Sequence, residues 1–486
     1  MAVNHQRADY KKNLPIWQKC RDVVEGQEKI HEEGELYLAS LTGQDATEYG
    51  KYKDRALFYN ATSRTVDAMS GLLFRKSPTI QIPDAMQEMI DNIDLQGNHI
   101  ETFSEQASNE ILITGRLGIL VEHPQNPIDS STQMTKADAA ALNMRPFLVK
   151  FKAEDIINWA TTVVNNITML SLVVLKEVTE VVVDFEPVIE TRYRVLKLDA
   201  ERKYFQQVWK EQISDNGKDV SYIKEGEDIY PKINGKSFGF IPFIFVSAEA
   251  VTHEIVKSPI LDLVNVNLSH YKTSADLEHG SHYTALPTAV VTGHTLEENQ
   301  KLKIGSSEAW VFSEPEAKAF YLEFEGKGLD SLEKRLERKE QQMAALGARM
   351  LATEKAQAEA AETHNIKRQG EYSALSSISS SLSDGLTRAL RLMADWSGIE
   401  SKELYYEINK DFVPGALTPQ GLLALVQTWQ SGGMAFPDFV KCLQKGEVID
   451  ADRTPEDIKS DLEAEGPTFT NDPAEDDDLD PDKDKT

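Results

Sequence analysis

The sequence predicts an α+β protein made of several packed parts. Three observations lead there. Residues 146–247 are crowded with Val, Ile, Tyr, Phe and Trp, which suit a pleated, half-buried surface. The segments on either side carry apolar residues at helical spacing instead. A second β-rich stretch, residues 284–325, lies between two long amphipathic helices.

Residues 1–80 read as helical. The clearest piece is Leu57–Phe74, where Thr62, Val66, Met69 and Leu73 recur at helical spacing and Pro78 follows as a stop. A helix over Ile100–Thr114 ends at Gly115, a residue suited to a left-handed cap. Leu117–Glu122 then reads as a short buried strand and Pro124–Met144 as a polar surface loop. The β part holds the runs Pro146–Phe151, Ile167–Phe185, Thr191–Leu198, Tyr204–Lys210 and Ile241–Val246. Asn216-Gly217 and Asn234-Gly235 mark turns, so an antiparallel meander is expected. Asp155, near Trp159, reads as a capping acid at a strand–turn junction.

Helix returns over Pro259–Glu278, with Ser258 as N-cap and Pro259 as first residue. Leu261, Val264, Leu268, Tyr271 and Ala275 form a seam suited to a long partner helix. The β-rich insertion follows, with Pro287–Thr292, Ala309–Phe312 and Ala319–Phe324 as its runs. The next helix, Leu329–Ala352, carries Leu332, Leu336, Met343, Leu346 and Met350 on one side. Ala352–Asn365 is small, polar and rich in Ala and Glu, and reads either as more helix or as a mobile loop. A third long helix covers Ile366–Trp396, and its Ser376–Ser383 run permits close packing. Thr418–Gln430, Phe436–Lys445 and Thr454–Glu463 form a small helical unit.

Composition narrows the function. The 486 residues carry a net charge of −27. That argues against a protein that grips nucleic acid with clustered Lys and Arg. Residues 447–486 hold sixteen acids and four bases, a net of −12, and from Gly466 onward the expectation is a disordered acidic tail. The two cysteines, Cys20 and Cys442, are too few for a zinc cluster or a disulfide scaffold, which fits a reducing cytosol. The polar N-terminus shows no secretory signal, and no apolar run approaches the ~18 residues of a membrane span.

Catalytic motifs are missing. There is no GxxxxGK[ST] loop, no HExxH, no CxxC pair and no GxSxG elbow, and no cofactor is expected. His270, His279, His282 and His294 form the densest histidine group. His279 and His282, three apart, could share a helix face as metal ligands, but a favourable place at a helix C-terminus explains them equally. Asp262 and Asp276 read as solvated or inter-subunit contacts. What stands out is the architecture: helices with seams but no evident bundle bury those seams against copies of themselves, which favours a homo-oligomer.

The order of parts resembles a tailed-bacteriophage portal protein, the head-to-tail connector. The stretch SPILDLVNVNLSHYKTSADLEHGSHYTALPTAVVTG resembles the portal segment entering stem and clip. ALFYNATSRTVDAMSGLLFRKSP and ASNEILITGRLGILVEHP resemble the wing helices. GARMLATEKAQAEAAETHNIKRQGEYSALSSISSSLSDGLTRALRLMADW resembles the passage from stem through tunnel loop to long helix. The resemblance covers most of residues 50–465 and rests on order and composition, not on invariant residues.

It implies a wing over 1–257, stem helices over 258–283 and 328–350, a clip over 284–327 and a tunnel loop over 351–365. A long wing helix with its return would fill 366–417, and a crown 418–465, before the acidic tail at 466–486. Thr353, Glu354, Lys355, Gln357 and Glu359 would face DNA in the tunnel loop. Leu261, Val264, Leu268, Tyr271, Leu332, Leu336 and Met343 would make oligomer contacts in the stem. Lys334, Arg335, Arg338 and Lys339 would pair with Glu333, Glu337 and Glu340 of neighbours, or form a basic ring on the DNA. The implied partners are copies of the chain in a ring of about twelve, with double-stranded DNA passing through without sequence specificity. The terminase large subunit, head-completion or tail adaptor proteins and the major capsid or scaffolding protein are implied as well, and no membrane. The implied location is the portal vertex of the virion, assembled in the bacterial host cytoplasm, with no enzymatic activity. Two other classes stay open at this stage: a different oligomeric scaffold or adaptor binding through its long helices and acidic tail, and a hydrolase built on His270–His294.

Overall fold

A computed structural model describes residues 2–124, 141–214, 220–233, 235–284, 288–293, 310–312, 314–322, 327–347, 361–410, 412, 419–446, 448–450 and 453–465. The chain divides into two units, Met1–Lys410 and Asp411–Thr486. The fold is α+β, as the sequence predicts.

The first unit opens with helices α1 (Ala8–Glu25), α2 (Gln27–Glu33), α3 (Ala46–Arg55) and α4 (Ala61–Leu73), then α5 (Gln87–Asp91) and α6 (Ile100–Thr114). Their starts follow from local chemistry. The Asp45 carboxylate accepts from the Thr47 and Glu48 amides, and Glu48 reaches back to the Asp45 amide. Such a capping box is worth about 1 kcal/mol. α6 ends where expected, with Gly115 left-handed at φ 79°. A side chain there would also press on the Lys257 carbonyl, 3.1 Å from the position of a Cβ.

Strand β1 (Thr79–Gln81) lies between α4 and α5, and β2 (Arg116–Glu122) follows α6. β2 is buried on both faces up to Val121, so it has no solvent side and takes the centre of a sheet. Its neighbours are β3 (Phe147–Lys152) and, from much later in the chain, β11 (Phe243–Ser247). The apolar runs at both ends of the β part therefore belong to a separate three-stranded sheet and not to the meander.

The meander is β4 (Ile156–Val164), β5 (Ile167–Val183), β6 (Glu186–Leu198), β7 (Tyr204–Ile213) and β8 (Val220–Ile229), antiparallel and in chain order. β4 and β8 add edges that the sequence reading did not identify. Asn165 and Asn166 (φ 50° and 62°) and Asp184 and Phe185 (φ 47° and 74°) make the two tight turns, both central residues left-handed in each. The Asn216-Gly217 turn signal falls outside the described residues, as does Asn234. Gly235 (φ 77°) stands between the short strands β9 (Lys232–Ile233) and β10 (Lys236–Ser237). One core unites the sheets with α1: Trp17 and Tyr10 pack with Leu120, Phe151, Trp159, Val173, Leu175, Tyr193, Phe243 and Phe245.

The chain then forms α7 (Leu261–Thr284), the strand pair β12 (Thr288–Thr292) and β13 (Lys318–Leu322), α8 (Lys327–Ala345) and α9 (Ala361–Ser397). Last in this unit is β14 (Tyr405–Glu407), paired with β1. α9 buries Leu375, Ile378, Leu382, Leu386, Leu390 and Met393. Its serines work as contacts. Ser381 Oγ donates to the Ser247 carbonyl at 2.7 Å, Ser379 Oγ donates to the Ile408 carbonyl at 3.0 Å, and Ser383 Oγ accepts from the Ile408 amide at 2.9 Å. Gly385 completes the close approach, because a Cβ there would sit 2.5 Å from Val246 Cγ2.

The second unit holds α10 (Pro419–Gln430), α11 (Phe436–Lys445) and α12 (Pro455–Glu465). These match the three expected helices within two residues at each end. Trp429 of α10 stacks on Phe439 of α11, with ring centroids 4.7 Å apart. Thr454 caps α12 through the Asp457 amide, and Asp457 accepts in return, which holds its carboxyl below the usual range.

Candidate functional site

The features that set this chain apart are the α7–α8 hairpin and the strand pair at its end. The two helices run antiparallel. Leu263 clusters with Met343, His270 Nε2 lies 3.3 Å from Glu340 Oε1, and Gly280 leaves room for Leu329. Lys339 Nζ donates to the Ser269 carbonyl at 2.7 Å and to Thr273 Oγ1 at 2.5 Å. Partial burial, with Arg335 nearby, pushes the Lys339 ammonium below the usual lysine range. Burial likewise lowers His270, which favours the neutral ring. At the hairpin's far end β12 and β13 pair antiparallel from Thr288↔Leu322 to Thr292↔Lys318.

The expected seam points elsewhere. Val264, Leu268, Tyr271 and Ala275 are buried within the protomer. Tyr271 packs edge-on against Phe58, its ring centroid 5.7 Å away. Asn267 locks this face to α4: its Oδ1 accepts from Thr62 Oγ1 at 2.8 Å, and its Nδ2 donates to the Tyr59 carbonyl at 2.8 Å. The face of α7 toward α8 is instead Leu263, Val266, His270 and Thr273. Of the residues expected to make oligomer contacts, Val264, Leu268, Tyr271 and Met343 are thus buried inside one chain, while Leu261, Leu332 and Leu336 stay partly exposed. The physical reason is that a period near 3.5 marks a buried stripe without saying what buries it.

The charged residues divide in the same way. Lys339 and Glu340 are bonded to α7, whereas Lys334, Arg335 and Arg338 are exposed and make no ion pair among the described residues. Thr353, Glu354, Lys355, Gln357 and Glu359 lie outside the described residues. His282 Nε2 sits 3.1 Å from Arg55 Nη2, and the His279 ring packs edge-on against Tyr52 at 5.1 Å. Burial first, then Arg55 and His282, push His279 below its ordinary range. Among the described residues, no group of three or more His, Cys, Asp or Glu could hold a metal ion. Asp276 accepts from Tyr52 Oη at 2.8 Å and Asp262 from Lys257 Nζ at 2.6 Å. Ser258 does not cap α7, because its hydroxyl donates to the Ile113 carbonyl at 2.7 Å and α7 begins at Leu261.

Two polar clusters, one partly buried and one centred on a fully buried arginine, escaped the sequence reading. Arg21 of α1 binds Glu110 of α6 bidentately (2.8 and 3.2 Å) and Glu154 through Nε (2.8 Å). Arg116 is fully buried, 4.0 Å over the Trp159 ring and 4.4 Å over Phe245, and Arg7 lies against the same indole at 4.8 Å. Arg116 Nη2 donates to the His253 carbonyl at 3.2 Å, and burial pushes the Arg116 guanidinium down to about 9.

A family model described as a domain of unknown function, DUF4055, matches residues 259–397, the stretch from the start of the hairpin to the end of α9. No curated protein matches the chain. Among solved structures the chain is similar to one from the virion of a native gene transfer agent particle, at 10% identity and TM-score 0.39, covering 84% of this chain and 96% of that one. It is also similar to a chain in the neck of an empty gene transfer agent particle (11%, TM-score 0.37, 82% and 93% covered). A third is in the neck of a native particle computed with C12 symmetry (11%, TM-score 0.36, 79% and 90% covered). Among the described residues no helix is long and apolar enough to cross a membrane.

Proposed function

We propose that the chain is the subunit of a phage-type portal: a ring at the capsid vertex that conducts DNA in and out and docks the packaging and tail machinery. One observation carries this reading. The α7–α8 hairpin bears a strand pair between its helices and is followed by a single 37-residue helix that returns into the wing. That is the order of stem, clip and long helix which the sequence resemblance implies. The role is structural, not enzymatic.

The charge fits a conduit. Each phosphate neutralised by a fixed Lys or Arg adds a salt-dependent attraction, so a bore with few bases lets the duplex slide. The net charge of −27 agrees with that condition. Lys334, Arg335 and Arg338, exposed on α8, pair with acids of the neighbouring subunit in this reading. The clip residues between the stem helices are the docking platform for terminase and adaptor. About twelve copies complete the ring.

Negative-stain microscopy of the purified full chain tests the proposal. Rings with a central hole are expected, and they should persist when the chain is cut at Gly466. A particle that stays monomeric or dimeric at high protein concentration refutes it.

A further inference from the structure

The β5–β6 hairpin outruns its own sheet. β4 pairs with β5 only as far as Leu175, and β7 pairs with β6 only from Arg192. Beyond those positions Val178–Val183 and Glu186–Thr191 pair with each other alone, out to the Asp184–Phe185 turn. An isolated two-stranded ribbon is marginally stable in water. This one is also apolar: Phe185 is 98% exposed, Ile189 72%, Val182 69% and Val178 57%. Val178 and Lys176 line a cavity beside α1, so the same face continues outward through the Glu180–Ile189 and Val182–Pro187 pairs. Glu177 and Glu190 are paired to arginine and lysine at the ribbon's base. Glu180, Asp184 and Glu186, nearer the tip, make no ion pair among the described residues and leave it negative.

The chain also presents the complement. Between α1, α2 and α7 runs a groove of about 790 Å³ with Ile16, Leu36 and Leu268 in its lining. Leu36 is 67% exposed. Lys19 and Lys272 stand beside them without an ion pair among the described residues, Lys19 donating to Asn265 Oδ1 at 2.8 Å, while Asp22 accepts from the Tyr37 hydroxyl and Glu33 pairs with Lys29. In a chain of net charge −27, a mixed groove with an apolar part and three lysines against two acids is a local exception suited to an acidic segment with an apolar tip.

We propose that the β5–β6 ribbon of one copy seats in the α1–α2–α7 groove of the next. The occupant is a second copy of this chain because ribbon and groove are two different surfaces of one molecule, matched in apolar character and opposite in free charge. A contact between unlike surfaces is heterologous, the kind that closes into rings. The inference rests on the ring reading above and names its subunit interface. Phe185 fills the apolar part of the groove, and the tip acids meet Lys19 and Lys272.

Cysteine cross-linking tests it in the full chain carrying Cys442→Ser, with the buried Cys20 left in place. Phe185→Cys and Leu36→Cys proteins, mixed and oxidised, should give a covalent dimer. A chain carrying both should give a ladder up to the full ring on a non-reducing gel. Phe185→Asp, at a site that touches nothing within its own chain, should leave folding intact and raise the concentration needed for rings at least tenfold, as loss of a buried phenyl ring requires. Rings without the cross-link, or Phe185→Cys chains linked to one another, overturn the interface and leave the ring standing. A wild-type chain that forms no rings overturns both.

Discussion

Replacing Asp155 with Asn should stabilise the first unit at high pH and do little at low pH. Asp155 ends the 3-10 turn Ala153–Asp155 before β4 and lines a cavity of about 230 Å³ with Tyr10, Glu154, Lys176 and Tyr193. Burial, and after it the neighbouring Glu154, push its carboxyl up to about 6 from 3.8, against the pull of Lys152 and of Arg21 from α1. A folded-state value above the unfolded one means that the native chain holds the proton more tightly. The stability from that proton is present in full below pH 3.8 and is lost as pH rises through about 6. At 1.36 kcal/mol per unit, the charged form above pH 7 costs up to about 3 kcal/mol, shrinking to about 1 kcal/mol at pH 4.5. Asn keeps the shape and the acceptor without the charge. With an unfolding entropy of about 2.1 cal/mol/K per residue over the first unit, calorimetry should show a midpoint gain of about 3 °C at pH 8 and about 1 °C at pH 4.5. An equal gain at both pH values, or a loss at pH 8, refutes the reasoning.

Two further outcomes test the packing. Gly385→Ala should cost about 1–3 kcal/mol by forcing α9 away from β11, and Val246→Ala in the same chain should recover part of that loss. Additive urea midpoints for the pair would contradict the close contact between Gly385 and Val246. Arg116→Met should change stability by less than about 1 kcal/mol, because it exchanges a desolvated charge for an apolar chain of similar length, whereas Arg116→Ala should lose about 3 kcal/mol to the cavity beside Trp159. A severe loss in Arg116→Met, read by thermal melting, would mean that the cation itself holds the sheets together.

Helix existence and order were legible because they are written locally. Apolar spacing and a glycine placed Ile100–Thr114, matching α6 residue for residue; the same signals found the three helices of the second unit to within two residues, and found α7, α8 and α9 with one end of each displaced by five to seven residues. Partnership was not legible, because it depends on residues far apart in sequence. The Val264–Ala275 stripe is buried as its spacing requires, yet Phe58, Thr62 and Tyr59 cover it where a partner helix was expected. The runs at Pro146–Phe151 and Ile241–Val246 read as strands and are strands, but β2, itself without a solvent face, draws both out of the meander. Some local signals went unread: Asn165-Asn166 between two apolar runs is a pair suited to a left-handed tight turn, and it would have revealed β4. Asp184-Phe185 carries no such signal, since a left-handed Phe is an unusual choice that only tertiary context can enforce. That turn holds Phe185 fully in solvent at the end of an unsupported ribbon. Both the unusual backbone and the exposed ring become reasonable once something outside the chain covers them, which is why the least predictable turn of the fold is also the place where its assembly should be sought.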